Sequence, residues 1–282
     1  TSLLPQSADD AEKGWKGLLG ISELTGDYAK RHSEVTPRQV MEYMVVDAQN
    51  PSSIRSCLMA ARENARAVRG TLTTEVWETQ NQTWLEFQRM VGDGNLHRDP
   101  SALFEWVKFR SHLSRGVTVG TMLQDEAFHF LRIGSFLERA DNTARLLDVK
   151  YHLLLPHGES VGGGLDYFQW TTILRTVSAL TAYRWVYRDA VQPLKVADLL
   201  ILNTQIPRSL TSCYQEILRR LDQLAAGHGR RGPAHRLAAH GLGQLEGASI
   251  DRIFSGGLHE FLGNFISENN RLGNAIAEQY LF

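Results

Sequence analysis

Two stretches of fifteen residues constrain this chain more tightly than any other feature. "YMVVDAQNPSSIRSC" (43–57) aligns without gaps on "LLILNTQIPRSLTSC" (199–213). Gln49 falls on Gln205, Pro51 on Pro207, Ser53 on Ser209, Ser56 on Ser212 and Cys57 on Cys213. Upstream, "LLP" at 3–5 matches "LLP" at 154–156, and Trp15 and Tyr28 match Trp170 and Tyr183 after a four-residue insertion. Downstream, "LFEWV" (103–107) matches "LHEFL" (258–262). The chain therefore reads as two tandem copies of one unit, about 155 residues apart. That period is too long for a solenoid repeat.

The repeated unit is helical. Long segments of helical periodicity dominate, prolines number eight, and "RGVTVG" (115–120) is too short to argue for a sheet. The pattern predicts about ten helices, over roughly 8–22, 36–48, 52–69, 72–91, 101–122, 124–154, 166–188, 194–203, 208–224 and 250–280. In "NPSSIRSC", Asn50 is placed to cap, Pro51 to open the first turn and Gly70 to close the far end. Two Gly-rich stretches, "HGESVGGG" (157–164) and "AAGHGRRGPAH" (225–235), read as loops. The expected fold is all-α: one bundle-like domain over 1–282, made of a first repeat at 1–125 and a second at 126–282. In the second copy "LERADNTARLLDVKYH" immediately precedes "LLLP". The first copy lacks that helix, which predicts roughly 25 to 30 further residues before Thr1. Cys57 and Cys213, in equivalent positions, are expected in the core as small hydrophobes.

Composition narrows the function classes. Thirty basic and 31 acidic residues give a net charge of -1, which leaves no electrostatic footprint for nucleic acid or anionic membrane. No apolar run approaches the roughly 20 residues of a membrane helix, and the first residues do not read as a secretory signal. With two cysteines, a reduced cytoplasmic setting is the expectation.

"RIGSFLERADNTARLLD" (132–148) carries the most chemistry. Wound at about 100° per residue, it puts Ile133, Phe136, Leu137, Ala140, Ala144, Leu147 and Tyr151 on a core stripe. The opposite arc holds Arg132, Ser135, Glu138, Arg139, Asn142 and Arg145, together with Leu131, Leu146 and Val149. Those apolar residues predict that the arc faces protein, and its cations are all arginine, the residue suited to planar multi-donor contacts. Two readings stand: a packing network or one wall of a ligand site. On 54–69, Arg55, Arg62, Arg66 and Arg69 fall within about 60° of one another. Like charges on one face repel. Their answer is expected from Glu63, Glu75, Glu78, Asp125, Glu126 or Glu138, or from a ligand's carboxylate or phosphate.

Other signals are weaker. Glu126-x-x-His129 has the spacing of one half of a di-iron carboxylate centre. No second such pair follows, so no metal is expected. His228, His235 and His240 lack ligand spacing and read as solvated. There is no phosphate loop, nucleophile elbow or Cys–His signature.

"NPSSIRSCLMAARENARAVRG", "TTEVWETQN", "FRSHLSRGVTVGTMLQDEAFHFLRIGSFLERADNTARLLDVKY" and "GLHEFLGNFISENNRLGNAIAEQY" together resemble the bacterial alpha-E family, from about Leu3 to the end of the chain. The resemblance implies an all-helical fold. It also implies company: such genes lie beside those for a circularly permuted ATP-grasp protein and a transglutaminase-like protein. ATP-grasp enzymes make amide bonds through acyl phosphates. The implied role is a component, enzyme or enzyme subunit, of ATP-dependent amide or peptide bond formation or modification. The alternative is a helical scaffold that positions the ATP-grasp partner without chemistry. ATP and Mg2+ belong to that partner, and this chain carries no cofactor motif. An Arg/Glu/Asn-lined cleft suits an amino acid or small peptide, with Arg62, Arg66, Arg69, Arg132, Arg139, Asn142 and Arg145 as binding residues. Glu126 and Glu138 are the expected amine ligands or general bases.

Overall fold

The computed structural model describes residues 8–153, 164–229 and 231–280. Among these the chain is all-helical. The first eight helices are α1 (Ala8–Ile21), α2 (Thr25–Ala29), α3 (Pro37–Val45), α4 (Ile54–Ala67), α5 (Thr74–Gly92), α6 (Asn95–Arg98), α7 (Pro100–Thr121) and the long α8 (Glu126–Leu153). Then come α9 (Gly164–Thr176), α10 (Leu180–Tyr187), α11 (Pro193–Ile201), α12 (Leu210–His228), α13 (Pro233–Glu246), α14 (Ile250–Gly256) and α15 (Leu258–Tyr280). The chain divides into two compact units. One comprises Thr1–Leu24 with His129–Phe282, the other Thr25–Phe128.

The helix starts follow local chemistry. Thr36, Ser53, Thr73, Asp99 and Ser209 each accept a hydrogen bond from the backbone N–H three residues on, and such caps contribute about 1 kcal/mol apiece. Pro37, Pro100, Pro193 and Pro233 open their helices, where a missing N–H leaves no helical bond unmade.

More helices form than the pattern predicts, because two predicted segments break and α2, α6 and α13 form where no helix was expected. The segment expected at 166–188 stops at Ser178, whose φ of 57° cannot continue a right-handed helix. Gly257, at φ 99°, breaks 250–280 in the same way. The expected loop at 225–235 is largely absent. Helix α12 runs on to His228 and is closed by Gly229 at φ 70°, and α13 begins at Pro233. His235, expected in solvent, is 4% exposed, and its Nε2 lies 2.7 Å from the Leu221 carbonyl. Helix α13 escaped detection because its core face leans on Ala234 and Ala238, which carry little apolar periodicity. His240 is exposed as expected. The stretch 157–163 lies outside the described residues.

In the unit containing α8, the core gathers Ile133, Phe136, Ala140, Ala144 and Leu147 of α8 with α11, α12 and α15. Helix α11 buries Val196, Ala197, Leu199, Leu200 and Ile201 completely, as a helix apolar on most of its circumference must. Each large aliphatic side chain buried in this way stabilises the unit by roughly 1.5–3 kcal/mol. The predicted core stripe of α8 is thus observed from Ile133 to Leu147, with Leu137 packed at its margin, and the side chain of Tyr151 lies outside the described residues. The other unit is built on Val45, Trp84, Phe87, Leu96 and Leu103, with Val76, Met122 and Phe128 as a second cluster.

The aligned stretches adopt one local structure. Asp47 Oδ1 accepts the Gln49 N–H at 2.7 Å, and Asn203 Oδ1 accepts the Gln205 N–H at 2.8 Å. Ser53 Oγ donates to the Asp47 carbonyl at 2.7 Å, and Ser209 Oγ donates to that of Asn203. Cys57 Sγ lies 3.9 Å from the Pro51 carbonyl, and Cys213 Sγ lies 3.7 Å from that of Pro207. Helices α4, α5 and α7 pack in series in one unit, as α12, α13 and α15 do in the other. The cysteines differ, however. Cys213 is buried, whereas Cys57 is exposed, contrary to the core position expected for it.

Candidate functional site

The α8 arginines separate into two kinds. Arg145 Nε pairs with Asp141 at 2.6 Å, and its Nη1 reaches Glu23 at 2.5 Å. Burial acts to lower its pKa, but those two carboxylates outweigh burial and raise it. This is a packing contact. Arg132 and Arg139, seven residues apart, instead place their guanidiniums over the ring of Phe136, at 4.8 and 4.9 Å from its centroid. Arg139 Nη1 also donates to the Pro207 carbonyl at 3.0 Å.

A further arginine completes this group. Arg220 of α12 is 6% exposed. Its Nη1 lies 3.5 Å from His129 Nδ1 and 3.3 Å from Gln223 Oε1, and its Nε is 3.7 Å from Glu216 Oε2. Glu216 is shared, since it also takes Arg219 Nη2 at 2.6 Å. Burial lowers the Arg220 pKa, and the neighbouring Arg219 and Arg132 add to that lowering while Glu216 opposes it. A guanidinium remains charged under such a shift. Arg132 thus links two groups: it shares the Phe136 ring with Arg139, and it acts on Arg220, which meets His129 and Glu216. The sequence pattern missed Arg220, Glu216 and the burial of His129. The signal that marks the first two is Glu216-x-x-x-Arg220, a four-residue step bordering the apolar stripe of Cys213, Ile217 and Leu224.

The rest of the expected site disperses. Glu138 and Asn142 are exposed. Leu131 is 42% exposed, so the polar arc does not face protein along its whole length as predicted. Leu146 is half-buried, and the side chain of Val149 lies outside the described residues. Arg62, Arg66, Arg69 and Glu126 belong to the other unit, where Glu126 is exposed.

The arginine stripe on α4 finds its answer within the chain. Arg62 Nη1 pairs with Glu63 Oε1 at 2.5 Å, and Arg66 Nε with Glu63 Oε2 at 2.7 Å. Arg62 Nε also donates to Asn81 at 2.8 Å. The hydrogen bond from Arg66 holds the Glu63 carboxyl below its usual range. Arg69 stacks on Trp77, 5.2 Å from the ring centroid, and Arg55 donates to the Val46 carbonyl at 3.4 Å. A depression of about 330 Å3 in this unit, lined by His32, Glu42, Tyr43, Asp47 and His97 among others, includes none of the expected site residues. Among the described residues no group of three or more His, Cys, Asp or Glu side chains is arranged to hold a metal ion. No described helix is long and apolar enough to cross a membrane.

Fold and site together define an all-helical protein whose principal cation cluster is built on one long helix. Over residues 2–281 the chain matches the Alpha-E family, described as a predicted alpha-helical domain with a conserved ER motif. The chain belongs to the Alpha-E family. Its sequence contains one Glu-Arg dipeptide, Glu138-Arg139, in α8. No curated protein and no solved structure matches it.

Proposed function

We propose that this chain is the substrate-holding component of an ATP-grasp-linked system that forms or modifies an amide bond of an amino acid or small peptide. In this reading Arg132, Arg139 and Arg220 hold the substrate's carboxylate. The pairing of Arg132 and Arg139 over Phe136, with Arg132 acting on the buried Arg220 beside His129, supports the reading. A carboxylate bound there takes charge-assisted N–H bonds and relieves the repulsion that Arg132 exerts on Arg220. The Phe136 ring supplies an apolar contact beside it. In this reading Glu138, exposed and adjacent in sequence to Arg139, takes a substrate ammonium group or removes a proton from it. ATP and Mg2+ come with the ATP-grasp partner. There a carboxylate attacks the γ-phosphoryl group, ADP leaves, and an amine then displaces phosphate from the acyl phosphate. The family resemblance read from the sequence implies the company of such a partner and of a transglutaminase-like protein.

A second reading has its own support. Arg62 and Arg66 share Glu63, so that face of α4 is satisfied without a ligand, as in a helical scaffold that positions the ATP-grasp protein.

One experiment separates the two. ADP release by the ATP-grasp protein of the same genome is recorded across the twenty amino acids and short peptides, with and without this chain. Release or a new product that depends on this chain, and is lost in Arg132→Ala and Arg139→Ala variants that still form the complex, supports the first reading. Unchanged rate and product in a stable complex overturn it in favour of the scaffold.

A further inference from the structure

Helix α7 turns a largely apolar face to solvent. Phe109 is 65% exposed and Val119 55%, and Leu123, just past the helix end, is 79% exposed. Gly116 and Gly120 are exposed as well, and a Cβ on either meets nothing within 4 Å. Winding α7 at about 100° per residue brings Phe109, Leu113, Gly116 and Gly120 within about 60° of one another, with Val119 beside them. Glu105 and His112 border this face, and Glu105 is taken by Lys108 at 2.5 Å. The buried Leu103 lies on another side, as do Arg110 and Ser114 with their hydrogen bonds to α5.

The aligned helix, α15, carries a polar version of the same face. Extending the match of "LFEWV" on "LHEFL" without gaps pairs Phe109 with Asn264, Leu113 with Glu268 and Gly116 with Arg271. It pairs Val119 with Asn274 and Leu123 with Glu278. Asn264, Arg271, Asn274 and Glu278 are exposed, and Arg271 pairs with Glu268 at 2.5 Å. Helix α8 meets α15 on a different side, where Asn269 donates to the Leu137 carbonyl at 3.2 Å and His259 pairs with Asp148. A helix placed as α8 is therefore leaves this face to solvent. Inward positions, by contrast, keep their character, since Leu103 matches the buried Leu258 and Val117 the buried Leu272. Packing inside the unit thus does not call for an apolar face at Phe109, Val119 and Leu123.

We propose that this face of α7 is a self-association surface, on which α7 of a second copy packs antiparallel about a twofold axis. The order of large and small residues is self-complementary in that arrangement. With Phe109 of one copy over Gly120 of the second, four residues forward on the first helix and four back on the other bring Leu113 over Gly116. The twofold axis repeats both contacts. Interior glycines weaken a helix relative to alanine, and no neighbour within the chain requires the room at Gly116 or Gly120. The twofold contact does, because a missing Cβ lets another helix approach closely. Antiparallel packing also sets the two helix dipoles head to tail, and Val119 and Leu123 extend the covered area. The proposal is independent of the functional reading above.

Sedimentation of the full chain over a range of concentrations tests this. A dimer that dissociates on dilution is expected. Phe109→Asn, borrowed from the aligned position, should raise its dissociation constant by about tenfold or more while leaving helicity and melting unchanged. Gly116→Leu should do the same by filling the groove, without lowering the melting temperature of the monomer. The register is read by cross-linking in a Cys57→Ser background. Positions 109 and 120 are about 16 Å apart along one helix, too far for a disulfide within it. Phe109→Cys combined with Gly120→Cys should therefore give a covalent dimer under mild oxidation, and neither single variant should. A chain that stays monomeric at every concentration overturns the proposal. So does a dimer indifferent to Phe109→Asn and Gly116→Leu, or a cross-link that forms equally in the single variants. A monomeric chain whose complex with the ATP-grasp protein is lost in Phe109→Asn assigns the face to that partner and overturns it too.

Discussion

Arg139 of α8 donates through Nη1 to the carbonyl of Pro207, the residue that introduces the capped start of α12, at 3.0 Å. One side chain thus ties the longest helix of the chain to a loop 68 residues away in sequence. The contact is solvent-accessible, so Arg139→Ala is expected to lower stability modestly, by about 1 kcal/mol. Urea denaturation checks this. Arg139→Lys is expected to recover part of the loss through its retained charge and stem while lacking the planar fork.

Ser209 serves α12 in two ways. It accepts the Ser212 N–H at 3.0 Å and donates to the Asn203 carbonyl while fully buried. Ser209→Ala leaves the half-buried Asn203 carbonyl and a helix N–H without that partner, and an expected loss of about 1–2 kcal/mol follows. Ser53→Ala removes the same pair of bonds in the other unit. The two variants should show similar losses in chemical denaturation. Strongly unequal losses would show that the shared geometry hides different packing.

Two neighbouring glycines of α13 give opposite expectations. A Cβ on Gly241 meets Tyr214 Cε1 at 2.5 Å, whereas one on Gly243 meets nothing within 4 Å. Tyr214 is buried and ringed by core, so Gly241→Ala is expected to destabilise by about 1–3 kcal/mol through overpacking. Gly243→Ala is expected to be neutral or stabilising by up to about 1 kcal/mol, since alanine is the better helix former. Thermal melts of the two variants test the close approach of α12 and α13.

His259 of α15 and Asp148 of α8 pair at 2.6 Å. The hydrogen bond that its Nδ1–H donates to Asp148 raises the His259 pKa above its ordinary value of 6.5. Folding therefore favours the protonated imidazole. The pair's stabilisation is fully present below about pH 6.5 and is lost as the pH rises through the raised folded value. Because the side chain is 38% exposed, solvent screening keeps the effect below about 1 kcal/mol. Stability measured from pH 5.5 to 8.5 should fall slightly more steeply in the parent than in His259→Gln, and parallel profiles would contradict this.

The cysteines should separate kinetically. Burial pushes the Cys213 thiol up to about 12 despite the nearby Arg139 and Arg208, while Cys57 is exposed. One thiol is expected to react with a disulfide reagent in the native protein and the second only on unfolding, because thiolate and access both govern the rate.

The sequence by itself determined what is local. Helical period selected the α8 core stripe from Ile133 to Leu147, caps and prolines set the helix starts, and the paired "QNPSS" and "QIPRS" stretches announced one turn used twice. Positions where a left-handed residue breaks a helix were less legible, because Ser178 carries no glycine to signal its φ. Only the tertiary structure decided which charges meet. Arg62 and Arg66 found Glu63 within their own helix, whereas Arg132 was brought to Arg220, a residue no spacing on α8 points to. It also decided that Cys213 is covered and Cys57 is not, although the two sit in matching sequence. The physical reason is the same throughout. Periodicity and capping act over one or two turns of chain, whereas burial and charge pairing depend on which distant helix arrives at a given face.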